Sequence, residues 1–551
     1  MSQTLELEVL ARSRKFCPLC VSSKMSQDIS SLPITRAPPD RYSLVSATSQ
    51  TEDVEMRARS NNDAGSIRPN ADNSDLEQLL MVLENGIVGW ESDEDPEYPP
   101  NFTPGRKWFI TGLLSTQAFM TPFASSIIAP AISYIAKDFG IPDITKSAMP
   151  VSIFLLGYAV GPLFLSPLSE IFGRRIIMMI STLAFCLFLI GCALSPSIEL
   201  LIFFRFMCGV GGSASQTVGG AVIADLFPVA ERGNAMTVWT LGPILGPSLA
   251  PLTGGFIAET IGWRWANWIT LIPTSVLLVV MVFVYPETRH EVLIQHKTAK
   301  LAKTLDQPDL CSCYAEAGEK ATKRSSIILS GLIRPLKLLF SSTIILGMSL
   351  YVAFVYGCLY LLFNTIPMVF HGSYNWSAGI SGVVYLALLF GYLVGLWAFS
   401  LLSDKTVRHM TEANGGTYEA EMRLPFCIYF AALLPISFFW YGWSSDQAVH
   451  WAVPILGLAL FGIGFEGIWL PTQIYIVDAY SRYAASALAA SSVMRSIVAA
   501  FLPLAGPAMY ERLGVGWGNS VLGFISLAMV PIPALIYKFG GRIRKKESFR
   551  L

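Results

Sequence analysis

Two ionisable residues stand where the surrounding sequence offers them no water. Arg205 lies in an apolar run at 199–226, and Glu466 lies in LFGIGFEGIWLPTQIY, residues 460–475. An arginine at the centre of a membrane helix costs about 2.5–3.5 kcal/mol on insertion scales and is rarely left facing lipid. Gly209, Gly212 and Gln216 follow Arg205 at steps of four, seven and eleven, so one helical face is small, polar and charged, as a cavity wall would be. The competing reading is an arginine that snorkels to the outer headgroups. Glu466 has Gln473 two turns further along its own face. A carboxylic acid so placed is able to titrate or to bind a cation; otherwise it stays neutral, as a hydrogen-bonded structural group. Asn364 and Gln117 are weaker polar candidates inside apolar runs.

Two further constellations carry a mechanical reading. PLSEIFGRR (167–175) sets Glu170, Arg174 and Arg175 in a tight turn at the edge of an apolar run. Glu170 is suited to pair with an arginine or with the positive end of a facing helix. Such contacts would hold one face of the molecule shut; the plainer alternative is a basic loop that only sets topology. LGPILGPSLAPLTGG (241–255) repeats Pro243, Pro247 and Pro251 every four residues, and Gly242, Gly246, Ala250 and Gly254 likewise. One helical stripe lacks backbone donors and the other lacks side chains. In a bilayer, neighbouring helices can satisfy the carbonyls that proline frees.

The elements that must position these residues are membrane helices. Of 551 residues, 53% are hydrophobic and 14% charged, well away from the globular average. Apolar runs long enough for a hydrocarbon core of about 30 Å fall at 108–136, 147–168, 176–194, 199–226, 234–258, 265–285, 338–366, 376–402, 424–442, 449–477, 484–509 and 518–537. The predicted fold class is therefore an all-α membrane protein with twelve spans. Basic residues concentrate in alternate loops, at Arg174 and Arg175, Arg232, 289–337, Lys405, Arg408, Arg423, Arg482 and the tail GRIRKKESFR. By the positive-inside rule both termini and the long middle loop are cytoplasmic.

The domain plan follows: a disordered polar tail at 1–104, a six-helix bundle at 105–285, a central loop at 286–337, a second bundle at 338–540 and a basic tail at 541–551. The bundles read as copies. GYAVGPLFLSPLSEI (157–171) aligns without gaps on GYLVGLWAFSLLSDK (391–405), with seven identities and Glu170 opposite Asp404. Both segments are the second span of their half and run the same way. Parallel repeats of this kind belong to alternating-access transporters, with the site at the midplane between them.

Other chemistry is poorly supported. The chain opens without an apolar signal segment, and its nine cysteines, including the pairs Cys17/Cys20 and Cys311/Cys313, form no disulfide or metal framework. A zero net charge gives no reason to expect nucleic acid. No G-x-x-x-x-G-K-[ST] loop, HExxH or GxSxG occurs, which argues against an ATP-driven pump and against an enzyme. The glycines at 209–214 fit a dinucleotide pattern but lie inside an apolar span with no preceding strand.

PLSEIFGRR, Arg205 with Gly209, and the proline–glycine helix together resemble three motifs of the major facilitator superfamily, in its fungal drug:proton antiporter branch with twelve spans. GWRWANW (262–268), PETR (286–289), YLLFNTIPMVF (360–370), EMRLPF (421–426), YGWSSDQAVHW (441–451) and VDAYSRYAASALAASSVMR (477–495) resemble that branch as well. The resemblance implies a cytoplasmic gate at Glu170, Arg174, Arg175 and Asp404, and proton coupling at Arg205, to which Glu466 is added from its position. It implies an antiporter-motif helix at Gly242, Gly246, Pro247, Gly254 and Gly255, packing on the other half, where Ala387, Gly391 and Gly395 form a matching surface. Gln117, Gln216, Asn364 and Gln473 are the expected cargo-cavity residues. The chain departs from the motifs at Ser166, Glu170, Cys208 and Ala250, none of which removes a charge. The expected activity is export of small amphipathic compounds, whether drugs, fungicides or a self-made toxin, in exchange for protons across the plasma membrane, with a vacuolar or vesicle membrane as alternative. An importer or facilitator on the same fold is the second reading, a non-transporting sensor the remote one. Expected partners are cargo, protons and lipid, with no cofactor, no metal, no nucleic acid and no obligate protein partner. Asn375 heads a glycosylation sequon in a short outer loop.

Overall fold

A computed structural model of the protein describes residues 83–84, 87–90, 92, 94–228, 231–304, 310–314, 324–480 and 484–546. The chain divides into two compact units, Met1–Tyr98 with His290–Lys320, and Pro99–Arg289 with Ala321–Leu551. In the smaller unit, strand Leu83–Glu84 pairs antiparallel with Ile87–Val88, which pairs in parallel with Cys311–Ser312. Trp90 Nε1 donates to the Tyr314 hydroxyl (3.1 Å), and the rings of Trp90, Tyr98 and His290 pack together. Lys297 pairs with Asp95 at 3.6 Å, and burial raises the Tyr98 hydroxyl above its usual range. The segment expected to be disordered up to residue 104 thus carries order from Leu83, because its aromatic residues find partners in the central loop. Its first 82 residues, Cys17 and Cys20 among them, lie outside the described residues, as do residues 547–551.

The regular elements of the larger unit are all helices among its described residues. Its first part comprises α1 (Pro104–Ser126), α2 (Ile132–Phe139), α3 (Ile144–Phe172), α4 (Arg174–Leu194), α5 (Ile198–Gly212), α6 (Ala214–Leu226), α7 (Arg232–Thr260) and α8 (Arg264–Val284). Its second part comprises α9 (Arg324–Ser341), α10 (Thr343–Tyr374), α11 (Ala378–Val383), α12 (Tyr385–Ala413), α13 (Leu424–Ala431), α14 (Leu433–Asp446), α15 (Ala452–Ala479), α16 (Ala484–Met529) and α17 (Pro531–Lys546). Side chains of Asp143, Ser197, Ser342 and Ser377 accept from first-turn amides and so fix where α3, α5, α10 and α11 begin.

Packing repeats between the two parts. α3 lies on α5 as α12 lies on α15, and α1 lies on α7 as α10 lies on α16. Across the seam, α7 meets α11 and α12, and α16 meets α3. Each part therefore presents the same two elements to the other, as parallel repeats require. The outer surface is apolar: Phe283 is 82% exposed, Tyr429 77% and Phe340 72%. Hydrocarbon is the solvent that makes such a surface stable.

Among the described residues, eleven helical stretches are long and apolar enough to cross a membrane. The expectation of twelve differs at the end of the chain. Ser486–Arg544 forms one stretch of 59 residues, where separate runs at 484–509 and 518–537 were expected. Two helices meet within the intervening AMYERLGVGWGNS, across a kink at Gly514 (φ 75°, ψ 170°), a conformation glycine adopts freely.

Candidate functional site

Arg205 is fully buried on α5, so it does not snorkel. Its Nη1 donates to Ala124 O (2.8 Å), Nη2 to Ser125 O (2.8 Å) and Nε to Pro150 O (3.0 Å). Ala124 and Ser125 are among the last residues of α1, whose terminal carbonyls lack intrahelical partners. The guanidinium therefore caps α1 at the negative end of its dipole, with Phe154 stacked 4.5 Å away. Gly209 and Gly212 on its face are packed, not open. A Cβ on Gly209 would strike Phe154 O, and one on Gly212 would lie 3.2 Å from Thr121. That corrects the expected cavity wall: small residues there serve helix contact.

The same device recurs in the second part. A Cβ on Gly157 would lie 2.8 Å from Gly209 Cα, and one on Gly391 would lie 2.9 Å from Gly462 Cα. Gly391 and Gly395 therefore face α15 within their own part, and they do not form the expected matching surface for α7. On α7, Gly242 and Gly246 are filled by α1: a Cβ at either would come within 2.5 Å of Ser115 O or Phe119 O. Gly254 likewise meets Ile127. Only Gly255 meets the other part, where its Cβ would lie 3.0 Å from Ala378 C; nearby, Gly379 N donates to Glu259 Oε2 (3.0 Å). α7 runs uninterrupted through its three prolines. Pro251 has no N–H for Pro247 O, and Ser126 Oγ donates to that carbonyl instead (3.2 Å).

The PLSEIFGRR turn is held by acids that its own sequence does not contain. The Glu287 carboxylate accepts from the backbone N–H groups of Arg174 (2.8 Å), Arg175 (3.0 Å), Thr288 (2.9 Å) and Arg289 (2.9 Å). It sits at the N-terminus of α4, against Gly173, whose φ of +94° and lack of a side chain admit it. The buried Arg174 side chain pairs with Asp225 (3.1 Å) and donates to Ser169 Oγ (2.7 Å), while Arg175 donates to Val282 O (2.9 Å). Glu170, expected to make these contacts, points outward and is exposed, with no hydrogen bond or ion pair among the described residues. In the second part, Arg423 pairs with Asp478 (3.8 Å) and donates to Ser403 Oγ (3.2 Å). Ser169 and Ser403 are aligned positions of the repeat, and Asp225 and Asp478 stand equally far from Gly209 and Gly462. Tyr418 also donates to Asp478; burial, then that carboxylate, push its hydroxyl up to about 12. The side chain of Asp404 lies outside the described residues.

Glu466 is fully buried, neither oxygen has a partner among the described residues, and its Cβ lies against Gly395. The Gln117 amide donates to Thr182 Oγ1 and leaves its oxygen unpaired, and Asn364 is buried with both amide atoms unpaired. Gln216 and Gln473 are half-buried. Asn375 is exposed in a left-handed conformation (φ 54°). One residue missed in the sequence belongs here: Arg495 on α16, stacked 4.5 Å over Tyr356.

The family model described as Major Facilitator Superfamily matches residues 114–503. The chain belongs to the major facilitator superfamily. It is 42% identical to the MFS transporter cpaT of Aspergillus oryzae over 84% of this chain and 93% of that protein. It is 40% identical to the efflux pump radE of Floropilus chiversii, over 84% and 86%. Against the MFS-type transporter penM of Penicillium rubens the figures are 39% identity, 87% and 94%. These relatives place it in the superfamily's fungal efflux branch. The fold is similar to that of the xylose transporter XylE from E. coli, with a TM-score of 0.59 at 16% identity, covering 79% of this chain and 98% of that one. The protein is thus a multi-pass membrane protein of a family whose members carry small-molecule cargo.

Proposed function

We propose that the protein exports small amphipathic organic compounds in exchange for protons, by alternating access. The observation that carries this reading is the repeated latch: Arg174–Ser169–Asp225 in one part and Arg423–Ser403–Asp478 in the other. Each ion cluster is internal to its own part and braces the same end of its repeat, as two rigid parts that rock against each other in alternating access need. We place that face, with both termini and the central loop, in the cytoplasm, and count Ser486–Arg544 as two spans, giving twelve. Arg205 is assigned to proton coupling, because the dipole and carbonyls it neutralises belong to a helix that packs directly on α7. Glu466 is assigned as a proton carrier. Export is supported by the efflux pump among the relatives, and an amphipathic cargo and residence in the plasma membrane are proposed with it. There, the membrane potential supplies about 2.3 kcal/mol per charge per 100 mV. No catalytic reaction is assigned.

The test is proton movement in sealed vesicles holding the purified protein under an imposed pH gradient, challenged with a panel of amphipathic drugs and fungal metabolites. Cargo-dependent collapse of the gradient, absent in Arg205→Ala, supports antiport. Cargo flux without proton movement overturns it in favour of a facilitator.

A further inference from the structure

Arg495, like Arg205, is an arginine inside an apolar helix, and it is held differently. It stands about three turns into α16, the helix that meets α3 across the seam. Its only side-chain hydrogen bond among the described residues runs from Nη2 to Ser492 Oγ (3.2 Å) on its own helix. Nε is buried without an acceptor, and no carboxylate pairs with the group among the described residues. Arg205, by contrast, has all three guanidinium nitrogens on carbonyls. A guanidinium presents five donors in a planar fork matched to a carboxylate, and leaving them idle in a water-poor site is costly.

The surroundings suit an amphipathic ligand and come from both parts of the molecule. The Tyr356 ring on α10 stacks under the guanidinium, with Tyr360 (5.2 Å) and Phe465 (6.2 Å) beside it. Tyr158 on α3 lies within Coulomb range of Tyr356 and Arg495 together. Tyr360 OH and Ser125 Oγ are 2.9 Å apart, joining α10 to α1 across the same seam. Glu466, next in the chain to Phe465, has the opposite sign, but it is fully buried with its Cβ packed on Gly395 and pairs with no arginine among the described residues, whereas Arg495 is half-buried. The accessible charge at the seam is the positive one.

We propose that Arg495 recognises an anionic group of the cargo, so that the favoured cargo class is amphipathic organic acids bearing a carboxylate or an equivalent planar anion, with Tyr356, Tyr360 and Phe465 against the apolar part. The proposal rests on the export reading and narrows its substrate class.

The test uses three probes with one ring system: 2-naphthoate, neutral 2-naphthamide and 2-naphthylmethylammonium. Equilibrium binding to the purified full-length protein at pH 7 is expected to favour the carboxylate over the amide at least tenfold. Arg495→Gln should bring the two within about twofold, and Arg495→Lys should keep part of the preference. Equal binding of carboxylate and amide, preference for the ammonium, no binding of any probe, or a carboxylate preference that survives Arg495→Gln would each overturn the proposal. Protein-dependent flux of any of the three probes into sealed vesicles tests transport separately. Flux without carboxylate preference removes the anion site and leaves the transporter reading intact; carboxylate preference without flux of any probe does the reverse.

Discussion

Arg205 and Glu287 solve one problem in opposite senses: each offers a full charge to backbone groups that a helix end leaves unpaired. Arg205→Lys keeps the charge but replaces a planar fork by one point, and cannot reach three carbonyls at once. We expect at least a tenfold loss of transport and a lowered unfolding temperature in detergent. Glu287→Gln turns one of two acceptor atoms into a donor facing the N–H of Arg174 or Arg175; the expected loss is about 1–3 kcal/mol, read by thermal unfolding. The Tyr418 hydroxyl, raised to about 12 in the folded chain, makes a pH prediction. Its folded value lies above its unfolded value near 10, so its contribution is complete below about pH 10 and is lost as pH climbs towards 12. The stability cost of Tyr418→Phe should therefore be the same at pH 7 and pH 9. Arg205 and Glu466 were legible because a charge in an apolar run is conspicuous. Arg495 carried the same signal in 484–509 and was passed over. Asp225 and Glu287 were not legible as latch residues: they come from segments distant in sequence from the turn they hold, and no local pattern encodes that meeting. Glu170, adjacent in sequence to the arginines, was credited with contacts its outward direction does not permit.

At the scale of the element, glycine spacing predicts where helices touch without saying which helix arrives. Gly157 and Gly391 each face a glycine on the partner helix, so a methyl group at either position must push two backbones apart. Gly157→Ala and Gly391→Ala should both reduce folded yield and transport several-fold, measured by size-exclusion and vesicle uptake. Gly105→Ala, where a Cβ meets nothing within 4 Å, should change neither. The four-residue glycine stripe of α7 was readable as a contact surface, yet most of it packs on α1 of the same part. Hydropathy could not have told these apart, since both neighbours are apolar and long. Through α15 most span boundaries fall near the expected ones, but α10 runs on to Tyr374 and α12 to Ala413, past the expected 366 and 402. At the last boundary the kink at Gly514 falls between the runs expected at 484–509 and 518–537, but it is made by a single residue and leaves no separate loop.

The whole molecule reads as one plan used twice, with crossing glycines, latch and seam all repeated. The parallel halves were legible from seven identities, although the pairing of Asp225 with Asp478 emerges only from the fold. The proposed topology makes a direct prediction. Single cysteines placed at residues 2 and 550, in a background lacking the native ones, should react with an impermeant maleimide only after cells are permeabilised, and labelling of intact cells would reverse the orientation. The capping of α1 by Arg205 bears on something other than transport, namely the order of assembly. Ala124, Ser125 and Pro150 all precede Arg205, so every acceptor it uses has left the ribosome before the arginine does. The first part can neutralise its buried charge during synthesis without waiting for the second. Nascent chains that end after α6 should already shield Arg205, whereas chains that have lost α1 would carry a bare charge into the lipid and are natural targets for quality control.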